Sequence, residues 1–488
     1  MLHTAERPTL FLPGWGFDGR VLSLLKPAPD WIFPETPLDP AIIEDDLLQL
    51  LAGENAGKVR LVGWSMGAML GLDFTARHPE PFSSLLLVSL RRCWPRKEIQ
   101  AIREEFSRAP EAFMKTFYRK CFLGSRETYR NFCASLQPLY LGDLEKNSGR
   151  LARGLAFLET FQPPATPPAI PTRLVHGRQD IIAPVQEMAV LPGAARKVID
   201  TAGHFLFSHP DSFYQQETKK KAIQARFSRA AASYDSYAVI QKEVAQKLAL
   251  QIKPERGIRQ VRTILEIGCG TGNFTELLAT RFPAARITAI DFSPEMVERA
   301  RAKLENPNIV FLCVEGEKFL QDAPGESFDL VTSNGSLQWF ADLDRALGNI
   351  ARVLVPGGTI ACSIFGPESL QELGQGLAAL HATADSLAAR SFLPRKRLAK
   401  ALQAHFSGAI LTEERLERKY QSVRDLLRHI QKTGTAGWPQ AVPQRLTPAR
   451  VSRLDRWFTA TYGSCRVTYH VFFLQGEKGG ELTERDCE

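Results

Sequence analysis

The pentapeptide Gly63-Trp64-Ser65-Met66-Gly67, directly behind the apolar run Val59-Arg60-Leu61-Val62, constrains this chain more than any other stretch. A serine between two glycines after a buried strand predicts a sharp strand-to-helix turn, a nucleophile elbow whose hydroxyl stands exposed above a sheet. Far downstream, residues 263–267 form a second apolar strand that runs into Gly268-Cys269-Gly270-Thr271-Gly272, a turn with the chemistry of nucleotide binding. Two unrelated sites on one chain are the expectation. At 488 residues the chain exceeds what one hydrophobic core usually organises, so two domains are predicted.

Short apolar runs at residues 10–12, 61–62, 85–88, 174–175 and 197–199 alternate with helical patterns. That alternation predicts an α/β domain with a parallel sheet and helices on both faces. Between the third and fourth runs, at about 91–162, strand signals vanish and helical periodicity takes over, which predicts an inserted cap. The division between domains is expected near 213–221, giving domains 1–216 and 217–488. A helix at 219–250 then leads into a second alternating series at 264–265, 287–290, 309–312, 330–331 and 359–361. The late run 467–473 is expected to add an edge strand.

Hydrophobic residues make up 44% of the chain and charged residues 23%, the balance of an ordinary globular protein. The net charge of +8 comes in short clusters, such as Arg119-Lys120, Lys219-Lys220-Lys221 and Arg395-Lys396-Arg397. Such clusters suit solvated helix faces or docking to an acidic partner better than a nucleic-acid stripe. The eight cysteines have no metal-like spacing, so reduced thiols and no metal site are expected. No signal peptide and no apolar run long enough to span a bilayer is evident, which favours a cytoplasmic protein with no membrane partner.

A serine hydroxyl needs a base beside it, and the base needs a carboxylate to fix its tautomer. Asp180, in the loop after the strand at 173–175, and His204, in Gly203-His204-Phe205, supply them in the order Ser, acid, His expected of an α/β-hydrolase. His209, His176 and His78 are weaker candidates for the base, and Asp200 is the rival acid. The oxyanion needs two backbone N–H donors, expected from Met66 and from Trp15 in Pro13-Gly14-Trp15-Gly16. With these anchors, residues from about 9 to 210 resemble the carboxylesterases that hydrolyse pimeloyl-carrier-protein methyl ester in biotin synthesis, the BioH type. The resemblance implies that Trp15, His204 and the cap segment Phe117-Tyr118-Arg119-Lys120-Cys121 face the acyl chain and the carrier protein. No cofactor is expected for this domain.

In the second domain the glycines sit closer together than in nicotinamide enzymes and follow an acidic residue, Glu266. That spacing points to S-adenosylmethionine, with Gly268, Gly270 and Gly272 shaping the loop and Glu266 meeting the amino-acid end. Asp291, closing the next strand, stands about 20 residues on, where a carboxylate binds ribose hydroxyls. Glu317 is the candidate for the adenine amine. With Phe227-Ser228-Arg229, Tyr234-Asp235, Ser333-Asn334-Gly335-Ser336-Leu337-Gln338-Trp339 and Phe392-Leu393-Pro394, the segment from about 219 to 475 resembles the malonyl-carrier-protein methyltransferases of biotin synthesis, the BioC type.

This second resemblance implies an acceptor pocket containing Tyr234, with Asn334 and Trp339 on the donor side, and an acyl carrier protein as partner. An ionised carboxylate and a sulfonium donor need no dedicated general base. Two other readings remain open from sequence. One is a general carboxylesterase fused to a small-molecule methyltransferase; the other is a hydrolase-like scaffold that only binds carrier protein beside an active methyltransferase.

Overall fold

The computed structural model describes residues 8–34, 36–52, 58–252, 255–256, 259–380, 387–435 and 446–479. The chain divides into two compact units, Met1–Thr218 and Lys219–Glu488. The first is an α/β domain on five parallel strands, β1 (Thr9–Leu12), β2 (Val59–Trp64), β3 (Phe82–Val88), β4 (Thr172–Gly177) and β5 (Ala195–Ile199), paired in that order. Each lies where an apolar run predicts it. Leu10, Phe11, Leu12, Leu61 and Val62 expose no surface, as befits strands covered on both faces.

Helix α1 (Ile43–Ala52) precedes β2, and α2 (Met66–Arg77) follows it across the elbow. The elbow glycines are needed there for space. A Cβ on Gly67 would sit 2.1 Å from the Leu12 carbonyl oxygen, and one on Gly63 would sit 2.5 Å from that of Gly67. Between β3 and β4 run α3 (Arg96–Arg108), α4 (Pro110–Cys121), α5 (Arg126–Ser135), α6 (Gln137–Gly142) and α7 (Leu144–Thr160), the all-helical cap that the loss of strand signal predicts. Arg91 anchors the approach to it. Only 3% exposed, its guanidinium pairs with Glu98 and Glu187 and lies over the Trp94 ring at 4.2 Å.

The second unit opens on α8 (Phe213–Ala230), which begins before the division, then α9 (Tyr234–Tyr237), α10 (Val239–Gln251) and a small hairpin of β6 (Glu255–Arg256) and β7 (Arg259–Gln260). An alternating series follows: β8 (Thr263–Ile267), α11 (Asn273–Arg281), β9 (Arg286–Asp291), α12 (Pro294–Lys303), β10 (Ile309–Cys313), α13 (Gly316–Asp322), β11 (Phe328–Asn334), α14 (Leu343–Val353) and β12 (Leu354–Phe365). Then come α15 (Gln371–Ala379), α16 (Arg395–His405), β13 (Ser407–Tyr420), α17 (Val423–Lys432), α18 (Pro448–Tyr462) and β14 (Cys465–Glu477). The sheet order is β10-β9-β8-β11-β12-β14-β13, with β14 antiparallel to both of its neighbours, β12 and β13. This is a Rossmann-like sheet. Its order reverses between β8 and β11, and the crevice beyond their carboxyl ends is where such sheets bind ligands.

One expectation about this sheet is corrected. The run 467–473 belongs to β14, which lies between β12 and β13 and is no edge strand. Val467, Val471, Phe472 and Leu474 expose no surface, so both faces of β14 are covered. The edge is β13, whose Glu413, Glu414, Arg415, Glu417 and Arg418 give it the charges that discourage edge pairing.

Seven cysteines are free thiols, and Cys487 lies outside the described residues. Among the described residues no helix is long and apolar enough to cross a membrane, and no group of His, Cys, Asp and Glu could hold a metal ion.

Candidate active sites

In the first unit, Ser65 occupies the junction of β2 and α2 with φ 56° and ψ −118°. A non-glycine residue rarely adopts that conformation, and it is held because the Ser65 N–H donates to the Val88 carbonyl at 2.9 Å. The loop after β1 runs alongside: a Cβ on Gly14 would lie 3.2 Å from Ser65 Cβ. Met66 opens α2, so its N–H has no acceptor within the helix.

The acid and the base meet. Asp180 Oδ2 accepts from His204 Nδ1 at 2.8 Å, while Oδ1 accepts from the N–H groups of Ile182 and Ala183 at 2.9 and 2.8 Å. Burial pushes the Asp180 carboxyl upward, but the His204 imidazole and those backbone donors outweigh it and hold the group below the usual aspartate range. An ionised acceptor at Nδ1 makes that nitrogen the proton carrier and leaves Nε2 the unprotonated ring nitrogen. Trp64, between the elbow glycine and the serine, fixes the imidazole from the other side. Its ring lies 5.4 Å from that of His204, and its Nε1–H donates to the His204 carbonyl at 3.0 Å. Sequence reasoning assigned Trp64 no role beyond the elbow.

The rival residues lie elsewhere. Asp200 is exposed and pairs with Arg178 at 2.6 Å, His209 bonds Thr201, and His78 pairs with Glu44. His176 is buried beside the acid, its Nε2 2.6 Å from the Ala183 carbonyl and 3.8 Å from Asp180 Oδ2. Burial lowers its pKa, so it is a neutral donor to Ala183 that props the Asp180 loop.

The cap segment is split by its helical period. Phe117 meets the Trp15 ring edge-on at 5.1 Å, and Trp15 is anchored by its Nε1–H donating to the Leu151 carbonyl of α7 at 2.9 Å. Arg119 and Lys120 point to solvent. Tyr118 and Cys121, expected to face the acyl chain, instead pack inward with 1% and 0% exposure, and the Tyr118 hydroxyl donates to the Gly16 carbonyl at 3.0 Å. They share the inner face of α4 with Met114, and through Tyr118 that face ties the cap to the β1 loop.

In the second unit a cleft opens beyond β8 and β11, at the place where sheets of this kind bind ligands. Gly268, Gly270, Asp291, Tyr234, Asn334 and Trp339 all line it. Gly268 and Gly270 take φ of +78° and +53°, and nothing lies within 4 Å of where a Cβ on Gly270 would stand. Asp291 knits the loop together: Oδ2 accepts from Gly270 N–H and Oδ1 from Ser293 N–H, both at 2.9 Å. Burial raises its carboxyl to about 6 despite those donors. Asn334 is held by donating to the Gln241 carbonyl at 3.0 Å and accepting from Ser363 Oγ at 2.8 Å. Burial raises the Tyr234 phenol, and the nearby carboxylates Asp291 and Asp235 push the same way. The indole Nε1 of Trp339 is buried without an acceptor.

Gly272 and Glu317, expected at the donor site, take other places, and Glu266 stands behind the cleft wall rather than on it. Gly272 is the left-handed N-cap of α11, packed near Leu304 and Ala300, and shapes the chain rather than the cleft. Glu317 does not line the cleft; its carboxylate caps the approach to α14 by accepting from the N–H groups of Ala341 and Asp342 and pairs with Lys220. Its neighbours Glu315 and Gly316 line the cleft instead. Glu266 is wholly buried behind the loop, neither carboxylate oxygen has a hydrogen-bond partner, and burial raises it to about 8. An orphaned carboxylate at Glu266, a second carboxylate on the cleft wall at Asp291, an open glycine turn and the apolar walls of Ile290 and Met296 fit a donor that carries an ammonium group, a ribose and an adenine.

Residues 9–216 match the Alpha/beta hydrolase family, and residues 265–362 match the Methyltransferase domain family. The chain is 36% identical over 234 residues to the malonyl-[acyl-carrier protein] O-methyltransferase of Paenibacillus sp. (strain JDR-2), covering 46% of this chain and 84% of that protein. It is 30% identical over 274 residues to the protein of the same name from Brevibacillus brevis, covering 54% and 99%. Across both units it is 29% identical over 425 residues to the biotin biosynthesis bifunctional protein BioHC of Teredinibacter turnerae, covering 75% and 74%. The chain belongs to the malonyl-[acyl-carrier protein] O-methyltransferase family, and it carries an α/β-hydrolase domain in the same polypeptide.

Proposed function

We propose that this chain is a bifunctional cytoplasmic enzyme of biotin synthesis, which esterifies the free carboxylate of malonyl-acyl-carrier protein in its second unit. Its first unit hydrolyses the methyl ester of pimeloyl-acyl-carrier protein. The observation that carries the reading is the coexistence in one chain of an Asp180–His204 pair behind a serine elbow and a carboxylate-edged glycine cleft. A methyl ester removes a charge that is costly to bury in apolar elongation channels, so installing and later stripping it is a coherent pair of reactions.

In the methyl-transfer site, S-adenosylmethionine supplies a sulfonium-activated methyl group. Asp291 would meet its ribose, the Gly268–Gly270 turn would let the backbone approach, and Glu266, behind that turn, would face its ammonium end. Tyr234, Asn334 and Trp339 orient the acceptor carboxylate and exclude water. The acceptor is already ionised at pH 7, so alignment replaces a general base. In the esterase site, which uses no cofactor, the Ser65 hydroxyl attacks the ester carbonyl while His204 Nε2 takes its proton. The N–H groups of Met66 and Trp15 hold the oxyanion, and His204 returns the proton to the leaving methanol. Water then repeats the cycle on the acyl-serine, releasing the free ω-acid.

The test is selectivity. The purified protein with S-adenosylmethionine is expected to methylate malonyl-acyl-carrier protein far faster than free malonate. Comparable rates on carrier-free acceptors would favour a small-molecule methyltransferase.

A further inference from the structure

From the wall of the methyl-transfer cleft the chain leads directly to an unpaired basic surface. Phe392 packs edge-on against Trp339 at 5.4 Å, and Trp339 lines the cleft. Beyond Phe392 the chain passes through Leu393 and Pro394 into α16, whose first turns carry Arg395, Lys396, Arg397 and Lys400. The inner face of this helix is ordinary core, with Leu398, Ala401 and Leu402 buried. Lys396, Arg397 and Lys400 are exposed, and at helical spacing they form one contiguous outer patch.

Local stability does not explain this arrangement. Cations in a first turn oppose the helix dipole, and like charges one turn apart repel. The first turn of α16 holds no acidic residue. Nearby carboxylates are already engaged: Glu413 by Arg395 and Arg415, Glu414 by Lys247, Glu417 by Arg466 and Glu368 by Arg415. Among the described residues no carboxylate pairs with Lys396, Arg397 or Lys400, so the patch meets solvent with its charge uncompensated.

We propose that the Lys396–Arg397–Lys400 face of α16 is the docking surface on which an acidic acyl carrier protein seats while its malonyl thioester enters the neighbouring cleft. The inference rests on the methyltransferase reading above and assigns the partner's landing site within it. Charge complementarity at such a surface speeds encounter and is weakened by salt. The patch begins four residues after Phe392, whose ring packs on the cleft residue Trp339, so a carrier seated on it would bring its arm-borne substrate to that wall.

The test is a charge-reversed full-length protein, K396E/R397E/K400E. Glutamates in a first turn suit the helix dipole, so the variant is expected to keep its fold and bind S-adenosylmethionine as the wild type does. Its kcat/KM for malonyl-acyl-carrier protein is expected to fall at least tenfold through KM, and its KM to lose the wild type's rise with added salt. Its rate on malonyl-pantetheine, which lacks the carrier, should stay within twofold of wild type. An unchanged KM for the carrier-borne substrate, or an equal loss on malonyl-pantetheine, would overturn the docking assignment while leaving the methyltransferase reading intact. A wild-type protein that methylates neither substrate would overturn both.

Discussion

The Asp291 carboxylate accepts from the Gly270 N–H at 2.9 Å, so the residue that closes β9 also sets the glycine turn after β8. Removing it disturbs the loop and, on the proposed function, the acceptor for the donor's ribose hydroxyls. Asp291→Ala is expected to weaken S-adenosylmethionine binding by roughly ten- to a hundredfold, the worth of a charge-assisted hydrogen bond. Calorimetric titration measures this, and ester hydrolysis by the same variant should be unchanged.

Glu266 gives the second unit a pH signature. Its folded-state pKa is raised by burial from the ordinary 4.5 to about 8. The folded form therefore holds a proton that the unfolded chain releases at lower pH. This contribution to stability falls as pH rises from about 5 and is fully lost above about 8. Thermal unfolding without the donor, followed between pH 6 and 9, should show a transition that moves down as pH rises. Glu266→Gln should flatten that dependence.

Two glycines of the first unit, one packed into the elbow and one exposed in α7, predict opposite outcomes on substitution. Gly67→Ala places a methyl 2.1 Å from the Leu12 carbonyl oxygen, and overpacking of this kind costs about 1–3 kcal/mol or more. Gly149, inside α7, has only the Arg153 guanidinium near its would-be Cβ, at 3.5 Å. Gly149→Ala should therefore stabilise the first unit by about 0.5–1 kcal/mol. Denaturant unfolding of the two variants checks both signs.

The His204–Asp180 bond predicts a kinetic effect without loss of fold. Asp180→Asn keeps an acceptor for the Ile182 and Ala183 N–H groups but removes the charge that fixes His204 Nδ1–H. Ester hydrolysis is expected to drop by about 10⁴ in kcat, as for comparable triads. Circular dichroism should be unchanged, and methyl transfer should proceed at the wild-type rate.

Parallel strands buried on both faces are nearly continuous apolar runs, which is why β1 to β4, β8, β9, β11 and β12 are legible in the residues; β5 and β10, at sheet edges and partly exposed, are legible from their short apolar runs alone. The placement of Ser65, Asp180 and His204 is legible for a related reason: each follows the end of a sheet strand, β2, β4 and β5. Side-chain direction is less legible. The segment 117–121 reads as one surface, yet the turn of α4 sends Tyr118 and Cys121 inward and Arg119 and Lys120 outward. Glu317 sits next to a cleft residue but is claimed by two backbone donors before α14, a long-range capping interaction with no local signal. The edge strand β13 is hidden because its charges mask its alternation, while the apolar β14 beside it imitates an edge candidate only by its position late in the chain.

The most direct test follows a methyl-labelled S-adenosylmethionine through the full-length protein. With malonyl-acyl-carrier protein, label should accumulate as a stable ester in both the wild type and Ser65→Ala. Labelled pimeloyl-acyl-carrier-protein methyl ester should release methanol with the wild type and none with Ser65→Ala. Rapid loss of label from the malonyl ester, or methanol release that survives Ser65→Ala, would contradict the account.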